Sequence, residues 1–232
     1  MPDELHSSPV GERCNDRSPA PHWGLEVGAY SGVLRTEEEI AYFGHARALE
    51  ALPAQKVRRL SELERGVIAC LIDLPTSEAD VPYVLASRYG AMAHTLKILK
   101  DISGGQPLSP TAFALSVHNA VLGAASQITG NRGGHTAIAA GEMSVSAGYM
   151  ECCARLAAGD PEVVLILSDF RLPGEYADFE NAQADVQLAC TLRLSEARPG
   201  LVASSLPAPG PDCARQFLDL LAMDTKDLKW CI

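Results

Sequence analysis

The run "PEVVLILSDF", residues 161–170, holds five consecutive branched aliphatic residues, Val163 to Leu167. Successive side chains of a strand point to opposite faces, so such a run needs apolar cover on both sides. A one-faced sheet open to water is thereby excluded. "HWGLEVGAYSGVL" (22–34), "VPYVLASRYG" (81–90), residues 135–140 and "ADVQLACTLRLSEA" (184–197) read as further strands. Helical stretches lie between them. "TEEEIAYFGHARALEAL" (36–52) opens on a Thr followed by acids, a helix-start signal. "SELERGVIACLIDL" (61–74) repeats Leu63, Val67, Cys70 and Leu71 at helical spacing. "AMAHTLKILKDI" (91–102) is broken by "SGGQPLSP", and "TAFALSVHNAVLGAASQITG" (111–130) reads as one long helix stopped by Gly130. Residues 142–158 and "CARQFLDLLAM" (213–223) supply two more helices. The alternation predicts an α/β layered fold with a largely parallel sheet.

With 232 residues, 47% of them hydrophobic, there is material for one full core. Residues 1–21, rich in Pro, Ser, Asp and Glu without periodicity, read as a flexible tail that leaves 22–232 as the domain. A formal charge of −10 opposes nucleic-acid binding, which needs a clustered cationic surface. The dense basic run Lys56-Val57-Arg58-Arg59 is followed by Glu62, Glu64 and Arg65, and reads as a solvated helix face. No apolar stretch approaches the roughly 20 residues of a membrane span. The N-terminus lacks a signal-peptide core, so a cytoplasmic location is expected. Seven cysteines without a C-x-x-C pair point to packed thiols rather than disulfides or zinc. Adjacent Cys152 and Cys153 leave a helix in different directions and suit packing better than ligation. Neither a metal nor a cofactor is expected.

Chemistry is sought at "HTAIAAGEMSVSAGY" (135–149), where a strand runs into a helix at Gly141-Glu142-Met143. A phosphate loop is excluded, because "GNRGGH" (130–135) lacks the Walker spacing and Lys and precedes the strand. A hydrolase elbow is excluded too: Ser146 lies inside the helix rather than on the turn. Glu142 remains, at a helix start whose free N–H groups favour an anion. It is a catalyst, a replacement for one, or a carboxylate that complements the helix dipole. The small residues Ser144, Ala147 and Gly148 weaken a helix intrinsically and imply close packing against another backbone.

Residues 108–169, from "LSPTAFALSVHNAVLG" to "GDPEVVLILSD", resemble the core of a β-ketoacyl synthase of the thiolase fold. The matching features are Ser109-Pro110, Asn119, Gly123, Gly130, Arg132-Gly133 and Gly159-Asp160. "RRLSELERGVIAC" (58–70) and "ASRYG" (86–90) resemble the family more weakly. The resemblance implies a thiolase-like layered fold, N-terminal half only, with a mixed β-sheet and helices on both faces. Counted from Gly133 and back from Gly159, the family's nucleophilic Cys falls on Glu142. A carboxylate there cannot form the acyl thioester of the condensation. The family's two catalytic His residues belong to a second half, and none of His6, His22, His45, His94, His118 or His135 lies in a matching motif. No catalytic residue is therefore assigned.

Half-length proteins of this kind, the short ketosynthase-like proteins of aryl polyene clusters, resemble chain-length factors. Their ends are similar to "FLDLLAMDTKDLKWCI", so the chain is expected to be complete. The resemblance implies a heterodimer with a full-length β-ketoacyl synthase, and contact with acyl carrier protein through that complex. Asn119, Ala137, Ile138, Ala139 and Ala140 would form the interface. Helices 113–129 and 142–158 would line the partner's acyl tunnel, with Val117, Ala120 and Ala124 facing it on one helical side. His118 and Asn119 are expected to be structural, Asn119 bonding backbone near the dimer contact. Two other functions stay open: decarboxylation of malonyl-carrier protein by Glu142, and a purely structural scaffold.

Overall fold

The computed structural model describes residues 25–35, 40–76, 78–169, 172–179, 187–196, 204–205 and 229–231. Strands β1 (Leu25–Arg35) and β2 (Ile40–Gly44) come first, then helices α1 (Ala54–Val57) and α2 (Glu62–Leu71). Strand β3 (Tyr83–Ala86) leads into α3 (Met92–Ser103), α4 (Pro110–Ser116) and α5 (Ala120–Thr129). Then follow β4 (His135–Ile138), α6 (Ser144–Ala157), β5 (Val163–Asp169), β6 (Gln187–Glu196), β7 (Ser204–Ser205) and β8 (Lys229–Cys231). The strands form an eight-stranded sheet in the order β4-β3-β5-β6-β1-β8-β7, with β2 also on β1.

β5 is the middle of the core, as its unbroken apolar run requires. Val163, Leu165 and Leu167 pack with Tyr149, Cys152 and Cys153 of α6. Val164 and Ile166 pack on the opposite face with Val67, Ile68 and Leu71 of α2 and Leu122 and Ala125 of α5. The sheet is mixed. β3 runs parallel to both β4 and β5, whereas β5–β6, β6–β1 and β1–β2 are antiparallel. A parallel pair needs a crossover, and the described helices α3 to α6 cross over only among β3, β4 and β5. The largely parallel sheet read from the alternation holds for that half alone.

Two helices differ from expectation. Of the helix expected over 36–52, residues 40–44 are strand, paired with β1 from Ser31↔Gly44 to Arg35↔Ile40. The Ile, Tyr and Phe of "IAYFG" favour a strand. Gly44 holds φ +58° where any Cβ would collide with the Tyr30 carbonyl. The helix expected over 111–130 is broken at 117–119: Val117 is extended, at φ −75° and ψ 146°, and α5 starts afresh at Ala120. The tail 1–21 and the helix expected at 213–223 lie outside the described residues.

The small α2 carries much of the order. Ser61 and Glu64 form a reciprocal capping box at its start. Glu64 is not on a solvated face, as its place in a charged run suggests; it is 0% exposed. Its Oε2 accepts from the Ser61 backbone N–H at 2.6 Å and pairs with His94 Nε2 at 3.0 Å. Lys56, Arg58, Arg59 and Glu62 are exposed as expected.

Candidate functional site

The strand-to-helix turn is built by Ser144. This side chain is buried, accepts from the Ala140 N–H at 3.0 Å and donates to the Gly141 carbonyl at 2.7 Å. Gly141, at φ +59°, makes the reversal, and residues Gly141–Met143 form a 3₁₀ turn before α6. The helix therefore starts two residues later than position 142, and Glu142 stands exposed on the turn. Strand β4 likewise ends at Ile138, with Ala139 and Ala140 exposed beyond it.

The turn is held hard against the sheet. A Cβ on Gly148 would lie 2.7 Å from Ala86 Cβ and 3.1 Å from Leu165 Cδ1, so α6 sits on β3 and β5 as its small residues imply. From the other end, Arg155 bonds Glu151 at 2.9 Å and the Thr136 hydroxyl at 2.8 Å, which ties α6 to β4. Gly159, at φ +109°, lets the chain leave α6 so that Asp160 N–H meets the Arg155 carbonyl at 3.1 Å. Before β4, Asn131 is buried; its amide donates to the Val81 carbonyl at 2.8 Å and its Oδ1 accepts from Val81 and Gly133 N–H. Asn131 is thus a structural asparagine. Its sign in the sequence was its place beside the Arg132-Gly133 pair. Asn119 is exposed and its side chain makes no capping bond.

The three tunnel positions do not share one continuous helix. Val117 is the exposed residue of the break, while Ala120 and Ala124 lie one turn apart on α5, both half-buried. His118, beside them, turns inward. Its Nδ1 would lie 2.5 Å from a Cβ on Gly90, which is at φ +58°. Burial lowers the His118 pKa, and a hydrogen bond with the Ser87 backbone opposes that only partly.

Four thiols are buried in the core. Cys70, Cys152, Cys153 and Cys190 are free and buried, and burial pushes Cys190 up to about 12 and Cys152 still higher. Among the described residues no cluster of His, Cys, Asp or Glu could hold a metal, and no helix is long and apolar enough to cross a membrane. The turn thus offers one exposed carboxylate, backed by a rigid helix, and no activated nucleophile.

Residues 35–216 match the family model of the β-ketoacyl synthase N-terminal domain. The chain belongs to this family. No curated protein matches it in sequence. Among solved structures, it is similar to a chain of the ketosynthase ApeO in complex with its chain length factor ApeC from Xenorhabdus doucetiae. There the TM-score is 0.70 at 20% identity, over 86% of this chain and 92% of that one. The ishigamide ketosynthase/chain length factor follows with a TM-score of 0.62 at 11% identity, over 76% of this chain and 63% of that one. A β-ketoacyl synthase from Burkholderia phymatum gives 0.54 at 12% identity, over 75% and 59%. Against these two, this synthase-family chain spans less than two thirds of the length. At these identities the likeness is one of fold, and it agrees with the thiolase-like mixed sheet that the family resemblance implied.

Proposed function

We propose that this synthase-family chain is a non-catalytic, chain-length-factor-like subunit of a full-length β-ketoacyl synthase, lining its acyl tunnel in aryl polyene biosynthesis. The observation that carries the reading is the strand-to-helix turn, where the resemblance places the family's nucleophile. Gly141, Ser144 and Gly148 hold this turn against the sheet, and Glu142 stands exposed on it. A carboxylate there cannot carry the acyl thioester, so the fold is kept for something other than covalent catalysis.

Two further features support the reading. β4 is the last strand on its side of the sheet among the described residues, and an unpaired strand edge is a template for another chain. Large apolar side chains also stand exposed: Phe113 at 63%, Val117 at 46% and Met143 at 47%. On α5, Ala125 is buried in the core and Ala124 packs partly against it, but a Cβ added to Gly123 would meet nothing within 4 Å, so tight packing within this chain does not explain that glycine. A tunnel wall would explain it. Carrier protein would reach the pair through the complete synthase.

Co-expression with a full-length ketosynthase from the same gene neighbourhood tests the proposal. The two chains are expected to co-purify as a heterodimer and make polyene together. Val117→Phe and Ala124→Phe should each shorten the product. A chain that purifies alone as a stable monomer and leaves product length unchanged would sink the reading.

A further inference from the structure

Four buried side-chain atoms have no hydrogen-bond partner among the described residues: Ser31 Oγ, Glu64 Oε1, His118 Nε2 and Ser168 Oγ. Three of the four belong to residues that line one small cavity, together with Ser87, Gly90 and Val121. The cavity leaves about 10 Å³ for the centre of a water-sized guest, which is about the least that a single water needs. Its walls come from α2, the β3–α3 turn, the start of α5 and β5, so the guest would touch elements distant in sequence.

The hydrogen-bonding inventory selects the guest. Glu64 is 0% and Ser168 1% exposed. The other oxygen of Glu64 is engaged by Ser61 and His94, which leaves Oε1 an acceptor. His118 bonds the Ser87 backbone through its other ring nitrogen, so Nε2 of the neutral ring is an acceptor as well. The Ser168 hydroxyl can donate. Two acceptors and one donor are the complement of one water, and buried waters typically make about three such bonds. We propose that this cavity binds one water molecule, which donates to Glu64 Oε1 and His118 Nε2 and accepts from the Ser168 hydroxyl. The water pins the break between α4 and α5 to α2 and β5, and His118 is a positioning residue for Val117.

Hydrogen exchange on the full-length chain reads this link. The Leu122 and Gly123 amides bond the Asn119 carbonyl at the break. Ser168→Ala, made on β5, should speed their exchange on the order of tenfold, the scale of one lost buried hydrogen bond. Ser31→Ala removes a buried hydroxyl on β1, outside the cavity, and should leave those amides unchanged. A crystal structure should show one water within hydrogen-bond distance of Glu64, His118 and Ser168. Equal exchange in the two variants would overturn the proposal. So would a crystal structure in which the three atoms bond protein groups, or a cation, instead.

Discussion

Glu142 decides between catalysis and its absence. It sits exposed on the 3₁₀ turn, one position before the residue that starts the α6 cap. Burial holds the thiols of Cys152 and Cys190 protonated, so neither is an activated nucleophile. Glu142→Ala is therefore expected to leave malonyl-carrier-protein decarboxylation at its background rate, measured as released carbon dioxide; a loss of activity would favour the decarboxylase reading instead. Glu142→Lys should lower stability by about 0.5 kcal/mol, because the start of α6 favours negative charge. His118 makes a pH prediction of definite sign. Burial holds its folded pKa below the ordinary imidazole value of about 6.5, so as pH falls the unfolded chain takes up the proton first. Stability should be unaffected by this group above about pH 7 and decline below about 6.5. Urea midpoints between pH 7.5 and 5 should show that slope, and His118→Gln should flatten it.

Two helical glycines, Gly148 and Gly123, separate packing from room. Gly148→Ala on α6 pushes a methyl into Ala86 and Leu165, and overpacking of this kind costs about 1–3 kcal/mol. Gly123→Ala on α5 meets no atom within 4 Å and should stabilise the isolated chain by up to about 1 kcal/mol through helix propensity. Thermal unfolding of the two variants should move in opposite directions. Both glycines look alike in the sequence, which is why the small-residue pattern could announce close packing at α6 yet not tell that α5 differs. Elements fixed by local apolar pattern, such as β5 and α2, were legible. Those fixed by partners were not. "IAYFG" follows three acids that read as a helix start, but pairing with β1 overrides that local preference. The break at 117–119 has no Pro or Gly to mark it; it exists because His118 turns in against Gly90. Glu64 looked like a surface charge although Ser61-x-x-Glu64 is a capping-box spacing; its burial against His94, 30 residues away, is a tertiary fact.

At the scale of the molecule the open question is the β4 edge. Gly134 and Ile138 carbonyls accept from the Tyr83 and Ser87 N–H groups of the β3 side at 2.9 and 3.1 Å. In a parallel ladder, alternate residues bond the same neighbour, so residues 134, 136 and 138 are spent on β3. The main-chain groups of His135 and Ala137 face the other way, toward the unpaired edge. Proline is tolerated where a strand's N–H faces outward and not where it serves the ladder. Ala137→Pro should therefore keep the chain folded, with far-ultraviolet circular dichroism near that of the parent, while abolishing co-purification with the ketosynthase. Thr136→Pro should instead damage the chain itself, since it removes an inward bond and the hydroxyl that Arg155 holds. Ala139→Arg gives an independent check, because the side chain is exposed and the backbone is untouched. It should weaken the heterodimer at least tenfold by burying an unpaired charge, with little change in melting temperature. Were Ala137→Pro and Ala139→Arg both to co-purify like the parent, the edge of β4 would not be the meeting place, and a partner would have to be sought on another face.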